Sequence, residues 1–257
     1  MALSNKPVLK KILISGANHS LAYQLAWFFK NQEILFCDNK NHTNIIPSHT
    51  SNAFAHQFLN YCLNHQIEMV FPLRAEELSA LTESKILFKE FGIELMVPDS
   101  RIIIAFQNNE FIESLPIISP LKIDNFVQFS TKILKAGYPQ KPVFFGRADL
   151  LGNLYEINDD SNAEELIWTN GKRLSFTQAS KLINQQPFIP LNIYPEVSEI
   201  NYVHILFLNN EVLTENNLSE SRRVIIQKIN EQYKIQGFYE LAFADDRLLR
   251  IKPVSIC

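Results

Sequence analysis

Apolar and polar positions in the N-terminal third of the chain follow the period of a strand and the period of a helix in turn. Short apolar runs at KKILIS, EILFCD, IEMVFPL and GIELMVP predict four strands. Helical spacing between the first two runs places Leu21, Leu25 and Phe28 on one side of an amphipathic helix. Further helices are predicted from about Asn52 to His65, from Glu76 to Phe91, and near Asp99. This alternation of strands and helices favours a doubly wound parallel sheet.

The remainder of the chain predicts a different arrangement. A helix is expected from about Ile123 to Lys135, and the alternation in INYVHILFL predicts a strand. The segment SESRRVIIQKINEQYKIQGF predicts a helix with Ile226, Ile229 and Tyr233 on one side. The last segment, GFYELAFADDRLLRIKPVSIC, predicts a hairpin.

Side chains alternate between the two faces of a strand, so the second half of this hairpin has two different faces. Arg250, Lys252 and Val254 are expected on one face, with Leu249 and Ile251 on the other. Two cations then point the same way. A surface hairpin with a basic face is one explanation. Glu240 is expected on the same face as Lys252, which makes a cross-strand ion pair another.

Composition limits the classes of function. Apolar and aromatic residues make up 46% of the 257 residues, and 24 Lys and Arg face 27 Asp and Glu, so we expect a globular protein without a nucleic-acid partner. The start, MALSNKPVLKK followed by ILIS, is too short in apolar length for a signal peptide or a membrane span, so we expect a cytoplasmic protein without a membrane partner. An odd set of widely spaced cysteines favours reduced thiols: Cys37, Cys62 and Cys257.

The first strand-to-helix turn, SGANHS, offers little chemistry. It contains Gly16 and no further glycine of a dinucleotide fingerprint, although Asp38 ends the second strand where a ribose-binding acid is expected. A tight turn and a dinucleotide site both stay open. Cys62 and His65 can share a helix face, but their spacing matches no metal pattern, so we expect no metal there.

The C-terminal hairpin resembles the end of an ATP-grasp domain of the carbamoyl-phosphate synthase large-subunit type, where a Glu-x-Asn-Pro-Arg pattern holds magnesium. Alignment on Pro253 puts Arg250 at the position of the glutamate and Lys252 at that of the asparagine. Val254 stands at the arginine, and Ala242 stands where the preceding strand supplies another acid or amide. Magnesium needs oxygen ligands, which Arg and Lys lack, so the resemblance implies a hairpin that has lost its metal.

The resemblance extends over nearly the whole chain. MVFPLRAEELSAL, from Met69 to Leu81, is similar to the domain that precedes ATP-grasp modules, and in GIELMVPDSRIIIAFQNNEF the residues Asn108 and Asn109 replace an Asp-Lys pair. KPVFFGRADLLGNLYEI resembles the lysine and the Gly-rich loop that meet nucleotide phosphates. The residues that match there by type are Lys141, Gly146, Arg147 and Gly152, with Ala148 and Asp149 in the middle of the loop. A plain hairpin explains this segment equally well.

The segment PFIPLNIYPEVSEINYVHILFLNNEVL resembles the hinge that follows the loop. Glu199 matches an acid that approaches the nucleotide, but the Gln-Glu pair before it is missing. The resemblance thus implies an α/β fold in which a doubly wound domain at 1–120 precedes a reduced ATP-grasp-like α+β module. This module is expected to divide into a lid-like subdomain at 121–186 and a C-terminal subdomain at 187–257.

Three functions follow from these residues. The first is a degenerate ATP-grasp-like protein that binds a nucleotide, such as ATP, or an anion without magnesium, has no catalytic residues, and serves as a binding or regulatory partner of another protein. The expected binding residues are Lys141, Gly146, Arg147, Glu199, Arg250 and Lys252. The second is an active ATP-dependent ligase that joins a carboxylate to an amine through an acyl-phosphate. The third is a dinucleotide-dependent enzyme. We expect the first.

Overall fold

The structure is a computed structural model, which describes residues 10–39, 43–48, 50–51, 53–97, 120–147, 154–157, 172–184, 190–195, 197, 199–214 and 217–254. Several predictions from the sequence lie outside these residues. They are the helix near Asp99, the pair Asn108 and Asn109, the loop residues Ala148, Asp149 and Gly152, and the third cysteine, Cys257.

The N-terminal part forms the parallel sheet that the alternating pattern predicts. Its strands are β1 (Lys11–Ile14), β2 (Glu33–Phe36), β3 (Met69–Phe71) and β4 (Glu94–Leu95), in the order β2-β1-β3-β4, and all three pairings are parallel. The helices are α1 (Ser20–Trp27), α2 (Phe54–Asn64), α3 (Ala75–Glu83) and α4 (Lys85–Glu90). Helices α2 to α4 pack on one face of the sheet, while α1 and part of a second sheet cover the other face.

The single helix expected from Glu76 to Phe91 is wrong, because the chain divides there into α3 and α4. Ser84 causes the interruption. Its hydroxyl donates to the main-chain oxygen of Ala80 at 2.9 Å, while its N–H donates to Leu81 instead, at 3.2 Å. A side chain that occupies a helical carbonyl in this way competes with the regular ladder.

A five-stranded sheet follows. It contains β5 (Leu121–Ile123), β6 (Val143–Arg147), β7 (Tyr155–Ile157), β8 (Lys172–Leu174) and β9 (Leu191–Tyr194), in the order β5-β9-β6-β7-β8. Helices α5 (Phe126–Lys135) and α6 (Phe176–Asn184) pack on one face. Residues 121–123 are therefore a strand, and the helix expected from Ile123 begins only after Asn125, whose side chain accepts a hydrogen bond from the N–H of Gln128 at 3.2 Å.

The C-terminal sheet is antiparallel. It contains β10 (Asn201–Leu208), β11 (Glu211–Thr214), β12 (Gly237–Ala244) and β13 (Arg247–Pro253), in the order β11-β10-β12-β13. Helix α7 (Glu220–Tyr233) covers one face with Ile226, Ile229 and Tyr233, which confirms the predicted helix side. The opposite face contacts both of the other sheets. The mixed α/β fold class is thereby confirmed. Within the described ranges, no helix is long and apolar enough to cross a bilayer.

Candidate functional site

The hairpin of β12 and β13 positions the two cations that the sequence singled out. A two-residue turn at Asp245 and Asp246 joins the strands, and the register pairs Glu240 with Lys252 and Ala242 with Arg250. Because directly opposed residues point to the same face, Glu240, Arg250 and Lys252 lie together. The predicted cross-strand pairing of Glu240 and Lys252 is confirmed.

One part of the predicted alternation is wrong. The register shifts between Ala242 and Phe243, where Arg250 and Leu248 are the opposed residues and Leu249 is extra. This β-bulge turns Leu249 to the face of Ala242, so Leu249 and Ile251 belong to different clusters of the core. Arg250 therefore has an apolar neighbour on its own face that simple alternation does not predict.

The Glu240 carboxylate is the centre of a charged cluster. Arg250 makes an ion pair with Glu240 Oε1, Lys252 Nζ lies 3.5 Å from the same oxygen, and His204 Nε2 lies 3.6 Å from Oε2. The side chain of Arg250 is 1% exposed and that of Lys252 is 20% exposed. Burial opposes ionisation of Glu240, but His204 and the two cations outweigh it and hold the pKa of Glu240 below its ordinary value.

The guanidinium of Arg250 also lies over an aromatic ring. Its central carbon is 5.5 Å from the centre of the Tyr202 ring, a distance typical of a cation–π contact. Burial raises the pKa of the Tyr202 hydroxyl, which keeps this residue neutral at physiological pH. The cluster formed by Tyr202, His204, Glu240, Arg250 and Lys252 thus contains one carboxylate, two permanent cations and one histidine.

A packed apolar layer lies between this sheet and the five-stranded sheet. Tyr194 and Phe144, which are opposed in β9 and β6, contact Leu249 and the alanines of β12. The hydroxyl of Tyr194 donates to the main-chain oxygen of Leu249 at 3.3 Å, and burial raises its pKa to about 12. The two sheets are therefore in direct contact at the hairpin that carries Arg250.

The structure separates two of the residues expected at one phosphate site. Lys141 lies just before β6 and is exposed, whereas Arg147 is the last residue of β6, so nearly the whole length of the strand, about 16 Å, separates them. The stem of Lys141 crosses Gly137, where an added Cβ atom would be 2.4 Å from the Cε atom of Lys141. Arg147 shares the strand face of Phe145, which packs toward α5, and lies on the opposite face from Phe144.

The other two expected residues are less informative. Gly146 shares the face of Phe144, toward the C-terminal sheet, where it contributes main chain only. Glu199 is exposed in the segment between β9 and β10. Of the six expected binding residues, the structure brings Arg250 and Lys252 into one cluster. The roles of all six stay predictions.

His204 and Tyr202 are members of the cluster that sequence reasoning missed. The signal was present in the alternation of INYVHILFL, because β10 pairs with β12 and brings His204 opposite Glu240. This signal shows the partner of His204 only when the register between β10 and β12 is known, and the paired residues His204 and Glu240 are 36 positions apart in the chain. A lone histidine in a strand does not reveal its partner.

A second polar cluster lies at the carboxyl ends of the parallel strands. Arg74 NH1 lies 2.7 Å from Asp38, and its Nε atom lies 3.4 Å from Glu77. The N–H groups of Asn18 and Asn39 donate to Asp38 at 3.1 and 2.7 Å. Burial opposes ionisation of Asp38, but these donors and Arg74 hold its pKa below the ordinary value. Asp38 is thus engaged by its own chain, which argues against a ribose-binding role and the dinucleotide hypothesis.

Glu77 is the buried member of the same cluster. The hydroxyl of Ser15 donates to its carboxylate at 2.6 Å and accepts the N–H of Leu73 at 3.0 Å. Burial raises the pKa of Glu77 to about 7, despite the opposing effects of Ser15 and Arg74. This network joins the ends of β1 and β3 to the start of α3.

Comparison with known proteins identifies the fold. No protein-family model matches the chain, and no curated protein matches it by sequence. A carboxyaminoimidazole ribonucleotide synthase from Aspergillus clavatus complexed with ATP is similar over 95% of this chain and 69% of its own, with a TM-score of 0.52 and 13% identity. A biotin carboxylase from Campylobacter jejuni in complex with beta-gamma-ATP is similar over 97% of this chain and 66% of its own, with a TM-score of 0.54 and 11% identity.

A third structure supports the same conclusion. The ATP-grasp ligase PsnB, complexed with a phosphomimetic variant of its minimal precursor, Mg and ADP, is similar over 96% of this chain and 91% of its own, with a TM-score of 0.50 and 7% identity. This chain has the ATP-grasp fold. The resemblance to ATP-grasp domains that the hairpin and loop motifs indicated is thereby confirmed, while the relation to the carbamoyl-phosphate synthase type stays a prediction.

The ATP-grasp resemblance implies magnesium at the β12–β13 hairpin, and the residues present there do not fit that ion. Arg250 and Lys252 offer no oxygen, Ala242 offers no side-chain donor, and Glu240 is already bound to both cations. Hard cations such as magnesium are held by oxygen ligands. Elsewhere in the described part of the chain, no three His, Cys, Asp or Glu side chains converge in a way that could hold a metal ion.

Proposed function

We propose that this protein is a degenerate member of the ATP-grasp enzymes, which binds a nucleotide or another phosphate-bearing anion without catalysing a metal-dependent ligation. The observation that carries the proposal is the composition of the cluster on β12 and β13. Two cations, Arg250 and Lys252, surround the Glu240 carboxylate where the resemblance implies magnesium ligands. The proposal extends to ATP as the nucleotide and to a protein partner that the bound state serves.

The charges of the cluster account for the loss of the metal. A divalent cation about 4 Å from one unit charge experiences an interaction of about 8 kcal/mol at an effective dielectric constant of about 20. Arg250 and Lys252 each repel it by that order, and Glu240 attracts it once, so the balance is unfavourable. The same balance favours an anion. The two cations can neutralise the charge of a bound phosphate group, as magnesium does in metal-dependent phosphoryl transfer. They supply no metal ion that would stabilise the charge that develops during the transfer.

Access to the buried Arg250 requires the five-stranded sheet and the C-terminal sheet to move apart. The apolar layer of Phe144, Tyr194 and Leu249 joins them, and Lys252 is the more exposed of the two cations. We propose that the lid-like subdomain, which begins at residue 121, opens as a unit. Because β9 pairs with β5 and β6, this proposed unit continues past residue 186 to Tyr194. The domain that precedes it ends by residue 120, and the C-terminal subdomain follows.

Calorimetric titration with ATP, once with magnesium and once with EDTA, tests the proposal. We expect the same affinity in both buffers. Lys252→Gln should weaken binding about 10-fold or more, because a charge-assisted hydrogen bond contributes about 1.5–3 kcal/mol. Lys228→Gln, on the exposed side of α7, makes the same change of charge and should leave the affinity unchanged.

The other outcomes contradict separate parts of the proposal. Binding that needs magnesium contradicts the loss of the metal and favours the active ligase instead. Absence of binding in both buffers contradicts the nucleotide part. Equal weakening by Lys252→Gln and Lys228→Gln contradicts the placement at the hairpin, because it indicates a general effect of charge.

A further inference from the structure

A cleft of about 450 Å³ lies at the β11 edge of the C-terminal sheet, whereas Arg250 and Lys252 lie on β13 at the other edge. It is formed where the end of α1 and the segment before β2 meet the edge strand β11. Its lining consists of Trp27, Phe28, Phe29, Lys30, Asn31, Gln32, Leu213 and Thr214. In the order β11-β10-β12-β13, Arg250 and Lys252 lie on the edge strand opposite to β11, and the lining of the cleft includes no member of the charged cluster, so the proposed nucleotide site does not account for this cleft.

The apolar part of the cleft is aromatic. Trp27 is 49% exposed, and its ring meets that of Phe28 edge to face, with 5.6 Å between the ring centres. Phe28 and Leu213 pack against the core below. Trp27 is thus held at its edge by Phe28, which packs on the core, and an exposed aromatic ring held in this way can contact a flat ligand. The size of the cleft lies within the range of small-molecule sites, which often occur between structural units.

The polar part of the cleft has one charge and one unsatisfied acceptor. Lys30 lies with its ammonium 4.0 Å from the centre of the Trp27 ring, and it is the one charged side chain among the described residues of the lining. The side-chain oxygen of Gln32 is inaccessible to solvent and accepts no hydrogen bond from the described residues. A buried acceptor without a donor is unfavourable by about 1–3 kcal/mol, so rotation of the Gln32 side chain that brings this oxygen to a ligand N–H or O–H in the cleft recovers about that amount.

We propose that this cleft binds a small aromatic anion that carries an N–H or O–H donor. The ring of the ligand contacts Trp27 and Phe28, Lys30 pairs with the negative charge, and Gln32 accepts the hydrogen bond. The cationic side chain selects an anion over a neutral or cationic molecule of the same shape. The arrangement assigns to this protein a second ligand site, at the boundary between the parallel sheet and the C-terminal sheet.

The dye 1-anilinonaphthalene-8-sulfonate is a suitable probe, because it combines fused aromatic rings, a sulfonate and an N–H group. Fluorescence titration of the full chain should show saturable binding at one site for each chain. Trp27→Ala should weaken this binding at least 10-fold. Tyr23→Ala is the matched control, since Tyr23 lies one turn earlier on α1, is 56% exposed and is not part of the cleft.

The contribution of the charge can be measured separately. N-phenyl-1-naphthylamine has the same rings and N–H group without the sulfonate. Lys30→Gln should weaken binding of the sulfonate about 10-fold and leave binding of the neutral compound unchanged, while Lys89→Gln, an exposed lysine on α4, should change neither. Gln32→Met should weaken both compounds, because both lose their acceptor.

Three results would overturn the proposal. They are dye binding that does not saturate at one site, equal losses in Trp27→Ala and Tyr23→Ala, and an effect of Lys30→Gln that is the same for the charged and the neutral compound. Trp27 and Lys30 are both exposed, so we expect these variants to fold. Circular dichroism of each variant checks that its fold is kept. The last comparison holds even if the aromatic variant unfolds.

Discussion

Arg250→Met offers the most direct test of the charged cluster, because it removes one partner of a buried ion pair and keeps a side chain of similar length. Glu240 then remains buried with Lys252 at 3.5 Å and His204 at 3.6 Å. Loss of one partner from a buried pair destabilises a protein by about 3–5 kcal/mol. Because Lys252 stays, we expect the lower value, about 3 kcal/mol.

Urea denaturation at pH 7 measures this loss as a change in the free energy of unfolding. For a chain of this size, about 3 kcal/mol corresponds to a decrease in melting temperature of roughly 6–12 °C. Arg247→Met is the matched control on the same strand. Arg247 lies 3.7 Å from Asp245, and their side chains are 41% and 80% exposed, so Arg247→Met should lower the free energy of unfolding by less than about 0.5 kcal/mol.

A double-mutant cycle with Glu240→Gln separates the pair from its surroundings. Each single change leaves one member of the Arg250–Glu240 pair buried without the other, whereas Arg250→Met with Glu240→Gln removes both charges of the pair. We therefore expect the double variant to be destabilised by less than the sum of the single variants, with a coupling of about 2 kcal/mol. If the losses add, or if Arg250→Met resembles Arg247→Met, the ion pair does not stabilise the sheet and the reasoning is refuted.

The pH dependence of the same variant has a definite sign. The pKa of Glu240 is lower in the folded chain than its ordinary value, so ionised Glu240 contributes stability above about pH 4.3 and loses it as the pH falls further. Arg250→Met removes the part of that contribution that comes from Arg250, while His204 and Lys252 remain beside Glu240. The unfolding free energies of the parent and the variant should converge as the pH falls below about 4.

Three further predictions concern other parts of the fold. Gly237→Ala should lower the free energy of unfolding in urea by roughly 1–3 kcal/mol, because φ is +114° and the added Cβ atom would be 3.3 Å from the main-chain oxygen of Met96. In Gly92→Ala the added Cβ atom meets no atom within 4 Å, so this control should lower the same free energy by only about 1 kcal/mol, from its φ of +75°. The pKa of Glu77 is raised to about 7 in the folded chain, so its protonated form contributes stability that is lost as the pH rises from 4.5 to 7, by at most about 3 kcal/mol. Glu77→Gln should flatten this decrease in the free energy of unfolding, and an unchanged pH profile contradicts the titration. Ser219→Ala should lower the free energy of unfolding by about 1 kcal/mol, because the Ser219 hydroxyl accepts a hydrogen bond from the N–H of Arg222 at the start of α7. An unchanged free energy of unfolding contradicts a capping role.

The sequence by itself determined the alternation of strands and helices in the N-terminal third, apart from the division between α3 and α4, because apolar periodicity is a local property of the chain. It predicted the parallel N-terminal sheet, the side of α7 that is buried, and the opposition of Glu240 to Lys252, which follows from alternation on either side of a short turn. The comparison with ATP-grasp motifs predicted a fold that solved structures confirm. It also selected six binding residues, and their roles remain predictions.

Only the tertiary structure decided which of these side chains meet. The bulge beside Arg250 places Leu249 on an unexpected face, the length of β6 separates Lys141 from Arg147, and the pairing of β10 with β12 brings His204 to Glu240. Each of these depends on register between segments that are distant in sequence. A shift of one residue turns a side chain to the opposite face, and periodicity within one strand carries no information about that shift.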